Sequence, residues 1–446
     1  MWEQRSQRSG VERSDEMVTL NATGRATRCF ALAVALVLIG WTTGAVAQQT
    51  NAASDLPGGY VVLPKVVVHT TGGSPPVLPG GVATDTVIQI TNVDQANEVK
   101  VDCWWVNANS HCGSDTGSIC ESNADCPAGL NCVPSWDVLD FTFTLTPGQP
   151  VGFTAGGGLS PVPCDNFDPG PCAGDRTLGG AIPKVQEDPF RGELKCVAVN
   201  ADDVPLNESP LKIEATIVST TVPGGVQLSP ATTAASYNGI GFAAVNAGSG
   251  DPDDPLCLGS LPQGSTDSCG QTYVPCPGVL ILNHFFDGAQ PDIGGFVRTD
   301  LTLVPCSENL GNPDASANFE IVAQMLVYNE FEQRFSTFAR VDCYRATPLV
   351  DIDTVRGPTG DKFSVFSVGV EGTLTGQTRI RGVQGAGGEL GYGLLGVACE
   401  TYSETAGGPA LATTAFNLHE SGLRPTGAGD AVILTNFPNP VPTPTP

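Results

Sequence analysis

The sequence predicts an all-β protein built from antiparallel β-sandwiches. Glycine and proline number 54 and 36, whereas charged residues make up only 15% of the chain, which is typical of turn-rich β proteins. The segments Thr86–Asn92 and Phe141–Thr146 alternate apolar and polar residues, as strands with one face in a core do. No long stretch keeps the i, i+3, i+4, i+7 spacing of an amphipathic helix.

The first 47 residues predict a leader that is removed on export. Arg25 and Arg28 precede an apolar run over residues 30–39, and the sequence Ala45-Val-Ala47 follows it. This is the order of a signal peptide with an A-x-A cleavage site. We expect cleavage after Ala47, a secreted or cell-surface location, and no transmembrane helix in the mature chain. An uncleaved anchor is the alternative, although the apolar run is shorter than the ~20 residues of a spanning helix. Translation starts at Met1 or Met17, and the polar segment 1–16 favours Met17.

Two apolar runs of strand length come early in the mature chain. Tyr60–Leu63 and Lys65–His69 are nearly continuous apolar runs of strand length, and Pro64 separates them. Proline cannot donate to a strand ladder, so it belongs at an edge, a bulge or a strand end.

An internal repeat divides the chain. Two segments share the same order of residues, with nearly equal spacing from proline to cysteine. The first copy is Leu63-Pro64, Asn92, Val101-Asp-Cys103-Trp104, and the second is Val304-Pro305, Asn329, Val341-Asp-Cys343-Tyr344. Matched spacing over several anchors implies one supersecondary plan used twice. We predict domains at 57–288 and 289–438, followed by an extended Pro/Thr-rich tail at 439–446.

Cysteine usage predicts a disulfide framework. Fourteen of the 15 cysteines follow Ala47, and disulfides are the default in an oxidising compartment. Zinc is disfavoured because no C-x2-C pair occurs. The repeat pairs Cys103 with Cys196 and Cys343 with Cys399. Proximity groups Cys112, Cys120, Cys126 and Cys132, pairs Cys164 with Cys172 and Cys257 with Cys269, and leaves Cys276 to join Cys306 across the two domains.

The first copy carries three insertions, at about 112–135, 156–185 and 247–276. The spacing Cys120-x5-Cys126-x5-Cys132 resembles short cysteine knobs of exported bacterial proteins. Leu145-Thr-Pro-Gly-Gln149 between β segments, with Thr-Asn ahead of a cysteine strand, resembles bacterial Ig-like surface modules. The resemblance implies two tandem Ig-like β-sandwich domains with disulfide-braced loop insertions, and it carries no functional residues.

Catalytic signatures are missing from the sequence. The chain has four histidines and no G-x-S-x-G, H-E-x-x-H or phosphate-binding loop. His419 lies beside Glu420 and Ser421, but neighbours on a strand face opposite ways. We therefore predict no enzyme activity. The formal net charge of −25 makes nucleic acid and anionic membranes poor partners, and we predict no nucleic-acid binding.

We predict no cofactor, with calcium as the alternative. Hard oxygen ligands recur in acidic loops, although none matches the EF-hand loop. The acidic groups are Asp251, Asp253 and Asp254; Asp165 with Asp168; and Asp351 with Asp353 and Asp361.

The repeat also nominates two aromatic positions. If Cys103 and Cys343 point into their cores, then Trp104 and Tyr344 point outward. An outward ring at the same place in both copies could stack on a sugar or anchor a partner. The alternative is that an insertion or the other domain covers each ring.

These features favour a non-enzymatic, exported or cell-surface structural or interaction protein with a protein or glycan partner. A carbohydrate- or calcium-binding extracellular module is the first alternative, and an extracellular hydrolase is the second. The insertions of the first copy are the expected seat of a specific function.

Overall fold

Antiparallel sheets form most of the regular structure in the computed structural model. It describes residues 52–69, 82–113, 115–120, 123–134, 137–159, 181–221, 231–247, 255–259, 272–292, 294–310, 320–352, 355–356, 362–368, 372–384, 391–421 and 429–434. Within this part of the chain no helix is long and apolar enough to cross a membrane. The predicted leader and tail, and the cysteines Cys164, Cys172 and Cys269, lie outside it. The all-β prediction is confirmed.

Two sheets pack face to face in the first half of the chain. Sheet 1 has the order β12-β1-β9-β3-β7 and sheet 2 the order β11-β10-β2-β8. A three-stranded insert, β5-β4-β6, lies between β3 and β7 in sequence and holds the predicted cysteine knob. The strands of this half are β1 (Tyr60–Val68), β2 (Val82–Asn92), β3 (Val99–Asn107), β4 (Ser110–Cys112), β5 (Asp115–Cys120), β6 (Cys132–Pro134), β7 (Asp137–Leu145), β8 (Pro150–Thr154), β9 (Phe190–Val199), β10 (Leu211–Thr221), β11 (Ala231–Asn238) and β12 (Ile240–Phe242).

The second half contains another pair of sheets and two smaller ones. Sheet 3 has the order β19-β18-β23-β14-β26, and sheet 4 the order β15-β16-β24-β25, with β20 also on β16. The strands are β13 (Leu256–Leu258), β14 (Val279–Phe285), β15 (Gly288–Gln290), β16 (Gly295–Pro305), β17 (Glu308–Asn309), β18 (Glu320–Asn329), β19 (Arg334–Asp342), β20 (Arg345–Pro348), β21 (Val355–Arg356), β22 (Lys362–Phe363), β23 (Thr375–Gln384), β24 (Leu394–Ser403), β25 (Ala410–Asn417), β26 (His419–Ser421) and β27 (Asp430–Ile433).

Short 3-10 turns occur at Asn123–Asp125 and Leu349–Asp351. The strand β27 pairs with β13 and β17 in a three-stranded sheet, and β21 pairs with β22.

Three apolar clusters hold these layers together. The first lies between sheets 1 and 2 and also takes in Val397 and Ala415 of sheet 4. The second covers the other face of sheet 1, where Tyr60 and Trp104 pack with Val304 and Val432. The third fills the space between sheets 3 and 4. Because two of the clusters contain residues from both halves, residues 49–446 form one compact unit.

The strand pairing agrees with the internal repeat in part but does not follow the predicted domain boundary at residue 288. β1 pairs with β9 and β16 with β24, and in the same way β2 pairs with β8 and β18 with β23. β14, which lies inside the predicted first domain, pairs instead with β23 and β26. The three-stranded sheet joins β13 from residues before 288 to strands after it.

Four disulfides connect described residues. They are Cys103–Cys196, Cys112–Cys126, Cys120–Cys132 and Cys276–Cys306. The first joins β3 to β9 at positions directly opposite each other. The last joins the two halves, as the sequence predicts. Cys257 is also disulfide-bonded, and its expected partner, Cys269, lies outside the described residues.

The predicted bond between Cys343 and Cys399 is wrong. In the first half, the Val-Asp-Cys strand β3 lies next to β9. In the second half, the equivalent strand β19 pairs with β18 in sheet 3, and Cys399 lies on β24 in sheet 4. Cys343 adopts a left-handed φ of 65°, where the chain leaves β19 and crosses to β20 in sheet 4. The two sulfur atoms therefore face different clusters.

Candidate interaction surface

The outer face of sheet 3 carries a row of exposed side chains that the core does not use. Along β18, residues 321, 323, 325 and 327 are buried in the third cluster, so the alternating residues point outward. The same alternation puts Arg334, Ser336, Phe338 and Arg340 outward on β19 and Arg379 and Arg381 outward on β23. Sheet pairing then aligns these residues in rows across the strands.

Four arginines dominate this face. Arg334, Arg340, Arg379 and Arg381 are all exposed. Arg379 lies over the ring of Tyr328 at 5.6 Å from its centroid, and its Nε donates to Gln377 Oε1 at 3.4 Å. From strand geometry, Arg334 and Arg340 are roughly 20 Å apart along β19, and β23 lies roughly 10 Å away across β18. Guanidinium groups stay charged at all physiological pH values, so the face is permanently basic.

Two exposed phenylalanines border the arginines. Phe331, in the turn between β18 and β19, is 69% exposed, and Phe338, on β19, is 63% exposed; they are the most exposed large apolar side chains in the described residues. Asn329 fixes the turn because its Oδ1 accepts from the backbone N–H groups of Phe331 and Gln333, each at 3.0 Å. β19 is an edge strand of sheet 3. We name the exposed residues Arg334, Arg340, Arg379, Arg381 and Phe338, together with the half-buried Tyr328, the arginine face.

A polar cleft of about 590 Å³ lies where β10 and β11 approach β25 and β26. Its wall includes Asp55, Glu214, Asn238, His419 and Glu420. Burial, together with the nearby Asp55 carboxylate, raises the pKa of Glu420 to about 8. Its Oε1 is buried without a hydrogen-bond partner. Carboxyl groups and an exposed histidine therefore line the same cleft.

A buried ionic cluster joins the two halves beside the second apolar cluster. Lys195 Nζ lies 2.9 Å from Glu193 Oε2 and also bonds Glu308, and all three side chains are at most 5% exposed. Burial alone would lower the pKa of Lys195, but attraction to Glu193 and Glu308 outweighs it and raises the pKa. Burial raises the pKa of Glu193 to about 8. The cluster is almost fully shielded from solvent, so it braces the fold.

The structure covers the two aromatic positions that the repeat nominates. Trp104 is 0% exposed and packs in the second cluster. Tyr344 is partly buried against the same cluster. Trp104 therefore has no exposed ring face for a ligand in this structure.

The four histidines occupy separate places. His69 is buried 4.0 Å from Asp188, and His111 Nε2 lies 3.0 Å from Glu187 Oε2. Burial lowers the pKa of His284 to about 4, and its Nε2 lies 2.8 Å from Thr378 Oγ1. Only His419 is exposed. None of the three buried rings lines the cleft.

The candidate ligands for calcium lie almost entirely outside the described residues. Asp351 is described and exposed, at the end of a 3-10 turn. The close groups of metal-ligand atoms among the described residues are Cys112, Cys120 and Cys126, and Cys276 and Cys306 with Asp430. The cysteines of both groups are in disulfides, so they offer no thiolate.

Glu187 ties the cysteine knob to the sandwich. Its carboxylate accepts from Asn107 Nδ2 at 2.6 Å and from Asn109, and it contacts His111. Burial acts to raise the pKa of Glu187, but the bonds from His111, Asn109 and Asn107 outweigh it and lower the pKa. We call these four residues the knob clasp.

Acid is expected to weaken the knob clasp. The pKa of Glu187 is lower in the folded chain than its value of about 4.5 in the unfolded chain. The stabilisation by its carboxylate is therefore complete above about pH 4.5, and it is lost as the pH falls through the lower pKa of the folded chain. At pH 7 the variant Glu187→Gln should lose about 1 kcal/mol of unfolding free energy. Thermal unfolding from pH 7 to pH 3 should show the gap between wild type and variant closing in acid. The exposed Glu208→Gln is the control, and a gap that does not change with pH would contradict the assignment.

Comparison with known proteins yields no family and only weak structural likeness. No protein-family model matches the chain, and no curated protein matches it. Among solved structures, the CupB6 tip adhesin from Pseudomonas aeruginosa is 11% identical and aligns over 81% of this chain and 99% of its own, with a TM-score of 0.12. That score is far below the value expected of a shared fold.

Sequence reasoning did not identify the arginine face. The signal was present as the alternation Arg334 to Arg340 and the pair Arg379 and Arg381, each at period two. What the sequence did not contain was the adjacency of β19 and β23 on either side of β18.

Proposed function

We propose that this protein is an exported, non-enzymatic interaction protein made of two Ig-like β-sandwich modules in tandem. The arginine face is the observation that carries the proposal, because exposed aromatic and arginine side chains together are typical of binding surfaces. The disulfides support an oxidising, extracellular location, since cytosolic thiols are kept reduced. Bonds such as Cys276–Cys306 would suit a protein that keeps its shape outside the cell.

The ionisable groups of the interior are consistent with this role. Lys195 and its carboxylates lie in closed structural contacts, and His284 is buried and neutral near pH 7. Such groups brace a scaffold and cannot reach a substrate.

An extracellular hydrolase is the second candidate, and the polar cleft favours it. His419 is exposed there, and Glu420 has a raised pKa beside Asp55. A carboxyl group with a raised pKa next to a second carboxyl group is an arrangement that acid–base catalysis uses.

One experiment separates the two functions. The purified mature chain is incubated with a panel of neutral and acidic polysaccharides, and both retention and release of reducing ends are measured. The interaction proposal expects retention without release, and it expects Glu420→Gln to behave as wild type. Release of reducing ends that disappears in Glu420→Gln would overturn it in favour of the hydrolase. Absence of retention on every polymer, together with absence of self-association and of binding to phospholipid vesicles, would also overturn it.

A further inference from the structure

The arginine face has a charge opposite to that of the molecule as a whole. The chain contains 21 lysines and arginines against 46 aspartates and glutamates, yet the outward positions of β18, β19 and β23 include four arginines. Two carboxylate residues, Glu320 and Asp342, also occupy outward positions, and they pair with each other at one end of β18 and β19. The turn residues Glu330 and Glu332 lie at the border. At physiological salt, charges beyond about 8 Å are largely screened, so a ligand on this face meets mainly the arginines.

The face is the outward side of three neighbouring strands, and its side chains are regularly spaced. None of its side chains lines the polar cleft. A repeating array on an open strand surface suits an extended polymer better than a small molecule, which usually binds in a cavity. Residues two positions apart on a strand are separated by roughly 7 Å along it. Arg379 and Arg381 are one such pair, and Ser336 and Phe338 are another.

The side-chain types indicate the chemistry of that polymer. Arginine forms bidentate pairs with carboxylate and oxyanion groups. Aromatic rings pack against apolar surfaces and keep their faces available, and Phe338 is exposed next to Arg340 in outward order. Acidic sugar chains offer both negative groups and the apolar faces of the rings.

We propose that the arginine face binds an acidic polysaccharide, with its arginines on the carboxylate or sulfate groups and Phe338 against the sugar rings. This inference rests on the proposed interaction function and names the partner class. The Tyr328 ring beneath Arg379 positions the guanidinium. Binding needs no titrating group, because the guanidinium charge is constant.

The test uses the full mature chain with three immobilised probes: polygalacturonate, dextran sulfate and neutral dextran. Wild type should be retained on the two acidic polymers and not on dextran. Retention should fall as NaCl rises from about 0.15 M to about 1 M, because the Debye length shrinks from about 8 Å to about 3 Å. Arg379→Gln/Arg381→Gln should weaken binding about tenfold, and Phe338→Ala should weaken it several-fold.

Arg298→Gln provides the matched control. Arg298 is an exposed arginine on β16 of sheet 4, 3.8 Å from Asp300, and its loss should change binding less than twofold. Equal loss in the Arg298 and Arg379/Arg381 variants would overturn the proposal, as would equal retention on dextran. Circular dichroism and thermal unfolding of each variant establish that it is folded.

Further measurements on the wild type and these variants distinguish an acidic polysaccharide from other partners. The chain could fail to be retained on the acidic polymers and yet self-associate in sedimentation or bind anionic phospholipid vesicles. That result would overturn the polysaccharide proposal and leave the interaction function standing. Release of reducing ends from the polymers would instead overturn the interaction function itself. The two failures therefore give different readouts.

Discussion

Replacing Lys195 with methionine is expected to lower the free energy of unfolding by about 3–5 kcal/mol. Lys195 is buried between Glu193 and Glu308, and it joins β9 of the first half to β17 of the second. Methionine fills a similar volume, so the variant removes the charge with little change in packing. Two buried carboxyl groups then lose their only cation within bonding distance among the described residues. Denaturant unfolding of the disulfide-intact chain measures the effect as a lower midpoint at unchanged slope.

The control for Lys195→Met removes the charges together. In the triple variant Lys195→Met/Glu193→Leu/Glu308→Leu no carboxylate is left without a counterion, and replacing a whole buried ionic cluster by apolar groups is often neutral or stabilising. We expect the triple variant to recover most of the loss. A single variant within about 1 kcal/mol of wild type would contradict the assignment of these groups as a buried ionic cluster.

The local part of the fold could be predicted from the sequence. Alternation placed β2 and β7 correctly, and Pro64 predicted an irregularity where β1 shows a register shift between Leu63 and Val66. Shared position in the repeat predicted Cys103–Cys196. Each of these depends on residues close in sequence or on a single pair of adjacent strands.

The rest depends on which strands become neighbours, and alternation does not encode that. The Val-Asp-Cys motif reads alike in both copies, but β3 joins the sheet of β9 whereas β19 joins the sheet of β18. Trp104 points away from the first core as predicted, and residues such as Val304 and Val432, hundreds of positions later, cover it. For the same reason the sequence does not predict the arginine face, which forms because β19 and β23 both pair with β18.

Removal of the Cys103–Cys196 bond is expected to be the costliest loss of a covalent link. Both sulfur atoms lie in the core between sheets 1 and 2, and the bond closes a loop with a sequence separation of 93. Chain entropy gives about 4–5 kcal/mol for a loop of this length. The double variant Cys103→Ala/Cys196→Ala should show that loss in denaturant unfolding.

The bond between the two halves provides the comparison for this prediction. Cys276–Cys306 closes a separation of 30, for which the same reasoning gives about 3–4 kcal/mol. We therefore expect Cys103→Ala/Cys196→Ala to unfold at a lower denaturant concentration than Cys276→Ala/Cys306→Ala. Cys399, a thiol in this structure, should be alkylated in the denatured, unreduced wild type, which verifies that the pairing is intact. The reverse order of midpoints would mean that contacts between the halves, rather than loop closure, dominate what these bonds contribute.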